Sequence, residues 1–86
     1  MTTYELTYGA NGEETTTLHF DAFHYTDAIT RFAEAVVRLD ADPEQWAAHA
    51  ALKRLADDHF PEDRTAVAWT KTSNERPTIE GDRVNA

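Results

Sequence analysis

Residues 40–61 read DADPEQWAAHAALKRLADDHFP, and the folding of this stretch decides the architecture of the whole chain. Asp42 suits an N-cap, Pro43 suits the first helical position, and Gln45 completes a capping-box pattern, so local chemistry predicts a helix start. With successive residues turned by about 100° and Ala48 set as zero, Ala51, Leu52, Leu55 and His59 cluster on one side, while Trp46, Ala50, Lys53 and Asp57 fall opposite. The reading is a helix from Asp42 to near His59, stopped by Phe60-Pro61.

Upstream of this stretch, Tyr25, Ile29, Phe32, Val36 and Leu39 recur at helical spacing, and Asp27, Arg31, Glu34 and Arg38 form an ion-pair ladder on the solvent side. That predicts a first helix from about Thr26. Earlier still, Tyr4, Leu6 and Tyr8 alternate with Thr3, Glu5 and Thr7, as in a half-buried strand. Gly9-Ala10-Asn11-Gly12 reads as a turn, and residues 14–21, with Thr16, Leu18 and Phe20 on one face, read as the returning strand of a hairpin. Downstream, Val67 and Trp69 alternate with Ala66, Ala68 and Thr70, which predicts a third strand over residues 65–72. The expected fold is α+β in the order ββααβ: two layers, with a three-stranded, mainly antiparallel sheet in order 1-2-3 covered by a helical hairpin. Residues 1–72 make a single domain, and residues 73–86 a flexible or extended tail.

Composition bounds the function. The chain has 86 residues, no cysteine, and eight Lys and Arg against sixteen Asp and Glu, a net charge of −8. A disulfide framework and a cysteine nucleophile are excluded. The acidic balance argues against direct contact with nucleic acid and against anionic membranes. With no apolar run of membrane-spanning length and no signal-peptide pattern at residues 1–5, the expectation is a soluble protein of the cytoplasm.

Catalytic patterns are missing. The single serine, Ser73, lies in a polar loop without a glycine-flanked elbow. The three glycines allow neither a dinucleotide fingerprint nor a phosphate loop. His19, His24, His49 and His59 show no i,i+4 pair and no three-ligand cluster, so neither a metal nor another cofactor is expected. The chain reads as a non-enzyme.

Partner binding is the remaining class. Trp46, on the wrong helix face for the core, reads as an aromatic anchor. Asp57 and Asp58 stand in the last turn of the expected second helix, where the macrodipole disfavours anions, and Glu62 and Asp63 follow at once. Asp21 at the end of the second strand is expected at the same pole, with Glu13 and Glu14 at the opposite hairpin tip. Local stability does not account for these carboxylates, so they are the candidate contacts.

The strand Tyr4-Glu5-Leu6-Thr7-Tyr8, the tip Asn11-Gly12-Glu13-Glu14 and the corner Asp40-Ala41-Asp42-Pro43-Glu44, in a small acidic ββααβ chain, resemble phage-encoded anti-CRISPR inhibitors. That resemblance implies a non-enzymatic inhibitor in the host cytoplasm. Its carboxylates would block a basic nucleic-acid-binding surface of a protein or complex such as a CRISPR effector. The alternative is a small phage structural or assembly protein, or a homodimer, with Trp46 and an open sheet edge making self-contacts.

Overall fold

The computed structural model describes residues 1–10, 13–42 and 47–72, and the backbone of residues 78–81. Strands β1 (Thr2–Ala10) and β2 (Thr16–Ala22) lead into helix α1 (Tyr25–Ala41), followed by β3 (Ala48–Arg54), β4 (Arg64–Lys71) and a short β5 (Thr78–Gly81). The strands form one sheet in the order β2-β1-β3-β4-β5, antiparallel at every pairing. Helix α1 crosses one face and packs chiefly on β3, less on β1 and β2.

The class is α+β, but the expected three-stranded sheet under a helical hairpin is not what forms. A single helix packs on one face of a sheet of four main strands and a short fifth. The helix predicted over residues 42–59 is replaced by β3 and a loop over residues 55–63. The expected order 1-2-3 also gives way, because β1 lies between β2 and β3, and the strand of residues 64–71 pairs with β3. Within residues 73–86, expected as a flexible or extended tail, Thr78–Gly81 run along β4.

The physical reason lies in the alanines. Ala48, Ala50 and Leu52 are buried at every second position, while His49 faces solvent and Ala51 is half-exposed. That is a two-residue period, which a run of small apolar residues fits as readily as a helical one. Intrinsic propensity favours alanine in a helix by only about 0.5 kcal/mol per residue, whereas a central strand pairs its backbone on both sides and buries Leu52 completely, an effect of about 2–3 kcal/mol by itself. Tertiary packing outweighs the local preference.

Small residues on β3 also answer a volume requirement. Ala50 stands opposite Trp69 in the β3–β4 register, and Leu52 opposite Val67. Trp69, 2% exposed, fills the space that the alanines leave beneath Ala28, Phe32 and Ala35 of the helix. Tyr4 and Leu6 extend this core across β1, and Tyr4 stacks on Phe20 with ring centroids 5.9 Å apart. The register shifts between Leu52 and Lys53, whose partners are Val67 and Thr65, so Ala66 is the extra residue of a bulge.

The helix ends are set by different means. His24 occupies the N-cap without a side-chain capping bond. At the other end Lys71 Nζ, at the end of β4, donates to the carbonyl oxygens of Leu39 at 3.2 Å and Asp40 at 3.4 Å. A cation on the last helical carbonyls opposes the negative end of the macrodipole.

Candidate functional site

Strand directions bring the start of β1, the end of β2, the first turn of α1 and the β3–β4 loop to one pole of the molecule. The loop, residues 55–63, carries four of the expected contact carboxylates. Two of them are structural. Asp57 Oδ1 accepts from the backbone N–H of Phe60 at 2.8 Å and of His59 at 2.9 Å, and Asp63 Oδ1 accepts from Ala56 N–H at 2.7 Å. The Phe60 N–H is the main cause of a lowered Asp57 pKa, with His59 adding to it, because hydrogen bonds to a carboxylate favour its charged form. The Asp57 N–H returns a bond to the Phe60 carbonyl at 2.8 Å, closing the turn.

Asp58 and Glu62 are exposed on this loop. Asp21 lies at the same pole, on the sheet face away from the helix, and accepts a 2.6 Å bond from the Thr3 hydroxyl. Glu13 and Glu14, although exposed, are at the opposite pole beside the β1–β2 turn. Nine residues of β1 separate the two groups, roughly 30 Å at about 3.3 Å per residue. The structure therefore brings Asp21, Asp57, Asp58, Glu62 and Asp63 to one end and leaves Glu13 and Glu14 outside it. Trp46 falls outside the described residues, and the helical wheel that turned it outward no longer applies, since no helix includes its neighbours Ala47 and Ala48.

Sequence reasoning missed the residues that frame the loop. Arg54, at the end of β3, lays its guanidinium 4.5 Å from the centroid of Phe60 and donates through Nη2 to the Glu62 carbonyl at 3.3 Å. Arg64 opens β4 directly opposite Arg54. Their proximity could be read only from the β3–β4 pairing, which a helical reading of residues 42–59 removes.

The helix-free face of the sheet was likewise hidden. Glu5 sits at its middle, with Oε2 3.1 Å from His19 Nε2 on β2 and Oε1 3.7 Å from Lys53 Nζ on β3. His49, on the same face, lies against Gly9 across the β1–β3 pairing. A Cβ at Gly9 would come within 3.2 Å of the His49 ring and 3.3 Å of Thr15 Cα, which accounts for glycine inside a strand. No group of three His, Asp or Glu side chains that could hold a metal ion occurs among the described residues. His59, expected on an apolar helix face, is instead exposed in the loop. Among the described residues no helix is long and apolar enough to cross a membrane.

No protein-family model matches the chain, and comparisons with curated proteins and with solved structures give no significant match. The functional reading therefore rests on the placement of charge and on the sheet edges.

Proposed function

We propose that this chain is a small non-enzymatic binding protein of the cytoplasm that inhibits a nucleic-acid-handling complex by presenting carboxylates to a basic, nucleic-acid-binding surface. The supporting observation is the construction of the β3–β4 loop. Asp57 and Asp63 spend their carboxylates on backbone N–H groups, so Asp58 and Glu62 project from a backbone already ordered. A binding surface ordered in advance loses less conformational entropy on association, and an acidic one steers a basic partner toward it. The ββααβ order that formed part of the resemblance to anti-CRISPR inhibitors is not the observed order, so the proposal stands on charge placement instead.

The division of labour within the loop selects the variant. Reversing Asp58 and Glu62 to lysine removes presented charge and leaves the loop bonds in place, whereas changing Asp57 or Asp63 would confound binding with folding. Affinity capture from host lysate at low and high salt, with mass spectrometry of the retained proteins, tests the proposal. A basic nucleic-acid-binding complex that is released by salt and lost with the double reversal is the expected result. Retention of that complex by the double variant at unchanged salt dependence would remove the loop from the mechanism.

A second reading is self-association, and a specific observation favours it. Strand β2 is an edge of the sheet, seven residues long, with neither Lys nor Pro to block further pairing. Its Leu18 is 44% exposed beside a groove between the sheet and α1. Antiparallel pairing of two β2 strands would give a two-fold dimer with a continuous sheet. A concentration-dependent mass in sedimentation, with no other protein captured from lysate, would put this reading first.

A further inference from the structure

Strand β2 ends the sheet, and His19 is the midpoint of its seven residues, Thr16–Ala22. Two such strands paired antiparallel over their full length set His19 opposite the second copy's His19, Leu18 opposite Phe20, and Thr17 opposite Asp21. The flanking pairs are complementary on both faces of the sheet. Leu18, 44% exposed, and the half-buried Phe20 lie on the helix side and bury apolar surface against each other, once on each side of the two-fold axis. On the helix-free side Thr17 meets Asp21, and the molecule already makes this kind of pair across β1 and β2, where the Thr3 hydroxyl donates to Asp21 Oδ1 at 2.6 Å. A carboxylate has further lone pairs with which to accept from a second threonine.

The central pair is of a different kind, because it brings two imidazoles face to face. Each is exposed and oriented from behind: the His19 side chain is 57% accessible, and its Nε2 lies 3.1 Å from Glu5 Oε2. Lys53 Nζ, 3.7 Å from Glu5 Oε1, anchors that carboxylate from β3. With Nε2–H donating to Glu5, the lone pair of Nδ1 is left over, which is the tautomer and the carboxylate backing that metal-binding histidines use. Two lone pairs pointed at one another repel, and a cation between them turns the mismatch into a bond.

We propose that two copies pair along β2 with His19 on the two-fold axis, and that the facing imidazoles bind one divalent transition-metal ion, zinc being suited to nitrogen ligands of this kind. One chain brings no three His, Asp or Glu ligands together among the described residues, so the site exists only in the pair. The inference rests on the self-association reading and adds to it a register and a ligand.

Sedimentation velocity of the full chain in about 100 µM zinc chloride and, separately, in EDTA tests it, alongside His19→Ala at an exposed side chain. Zinc should strengthen dimerisation by about tenfold or more over EDTA, and His19→Ala should abolish that gain. The chain has no cysteine, so His19→Cys introduces a single thiol. Oxidation should link His19→Cys to its second copy faster than Thr17→Cys, because residues directly opposite have disulfide spacing whereas the two Thr17 positions lie roughly 13 Å apart. Equal dimerisation in zinc and in EDTA overturns the metal site and leaves self-association standing. A zinc effect retained by His19→Ala overturns it by placing the ion elsewhere, and cross-linking of His19→Cys no faster than that of Thr17→Cys overturns the register. A monomer under every condition overturns both the inference and the reading beneath it.

Discussion

Ala50 and Ala51 are adjacent alanines that the helical and strand readings of residues 40–61 assign to opposite environments. On the helical wheel Ala51 faces the core and Ala50 faces away. In the sheet Ala50 is 1% exposed, opposite Trp69 and two residues from the fully buried Leu52, while Ala51 is half-exposed on the helix-free face. Ala50→Leu forces three extra carbons into a packed layer, a change that costs about 1–3 kcal/mol. Ala51→Thr adds a β-branched side chain to an open sheet face, so its effect should stay within about 0.5 kcal/mol and can be stabilising. For 86 residues the entropy of unfolding is roughly 0.18 kcal/mol/K, so Ala50→Leu should lower Tm by about 5–16 °C and Ala51→Thr by less than about 3 °C. Thermal unfolding followed by circular dichroism measures both. A stable Ala50→Leu together with a destabilised Ala51→Thr would refute the strand assignment of residues 48–54 and restore the helical one.

Three further outcomes follow from the same geometry. Lys71→Met should cost about 1–2 kcal/mol in urea unfolding, since it removes a charged donor from the last carbonyls of α1 at a site where Lys71 is only 13% exposed; an unchanged midpoint would mean that water replaces the ammonium without loss. The Asp57 carboxyl should titrate below the ordinary aspartate value of about 3.9, because Phe60 N–H and then His59 N–H favour its anion. A depressed folded pKa gives stability that is present above the ordinary value and is lost as pH falls through the folded one, so amide exchange at His59 and Phe60 should accelerate only in that acidic window. Acceleration already at pH 5–6 would show that another group holds the turn. Leu18→Lys on the exposed edge strand should leave stability within about 0.5 kcal/mol and abolish any concentration-dependent mass in sedimentation, whereas a monomeric wild type would remove the β2 edge as an interface.

Much of the fold was legible because it depends on periods that admit one solution. Tyr4, Leu6 and Tyr8 alternate in a way no helix accepts, and the stripe from Ile29 to Leu39 has a spacing no strand accepts, so β1, β2 and α1 follow from pattern alone. Trp69 alternating with Val67 likewise marks β4. Acidic character is legible in the same direct way, and Asp58 and Glu62 are exposed as their composition suggests.

Residues 48–54 depended on tertiary structure. Alanine has no shape that separates a helical from an extended packing, and the Asp42-Pro43 start signal weighs on the local preference alone. What decides between them is the partner backbone: β1 and β4 each require a neighbour, Trp69 requires small residues opposite, and only an extended β3 satisfies both. The site depended on that same choice. As members of a helix, Arg54 and Asp57 are residues on one solvated turn; as the end of a strand and the start of a loop, one lies against Phe60 opposite Arg64 and the other closes a turn. The sequence by itself determined which segments are amphipathic and where negative charge accumulates, because both are properties of neighbouring residues. Strand order, the Arg54–Arg64 pair and the structural use of Asp57 and Asp63 were decided only when residues far apart in the chain competed for the same core and the same backbone partners.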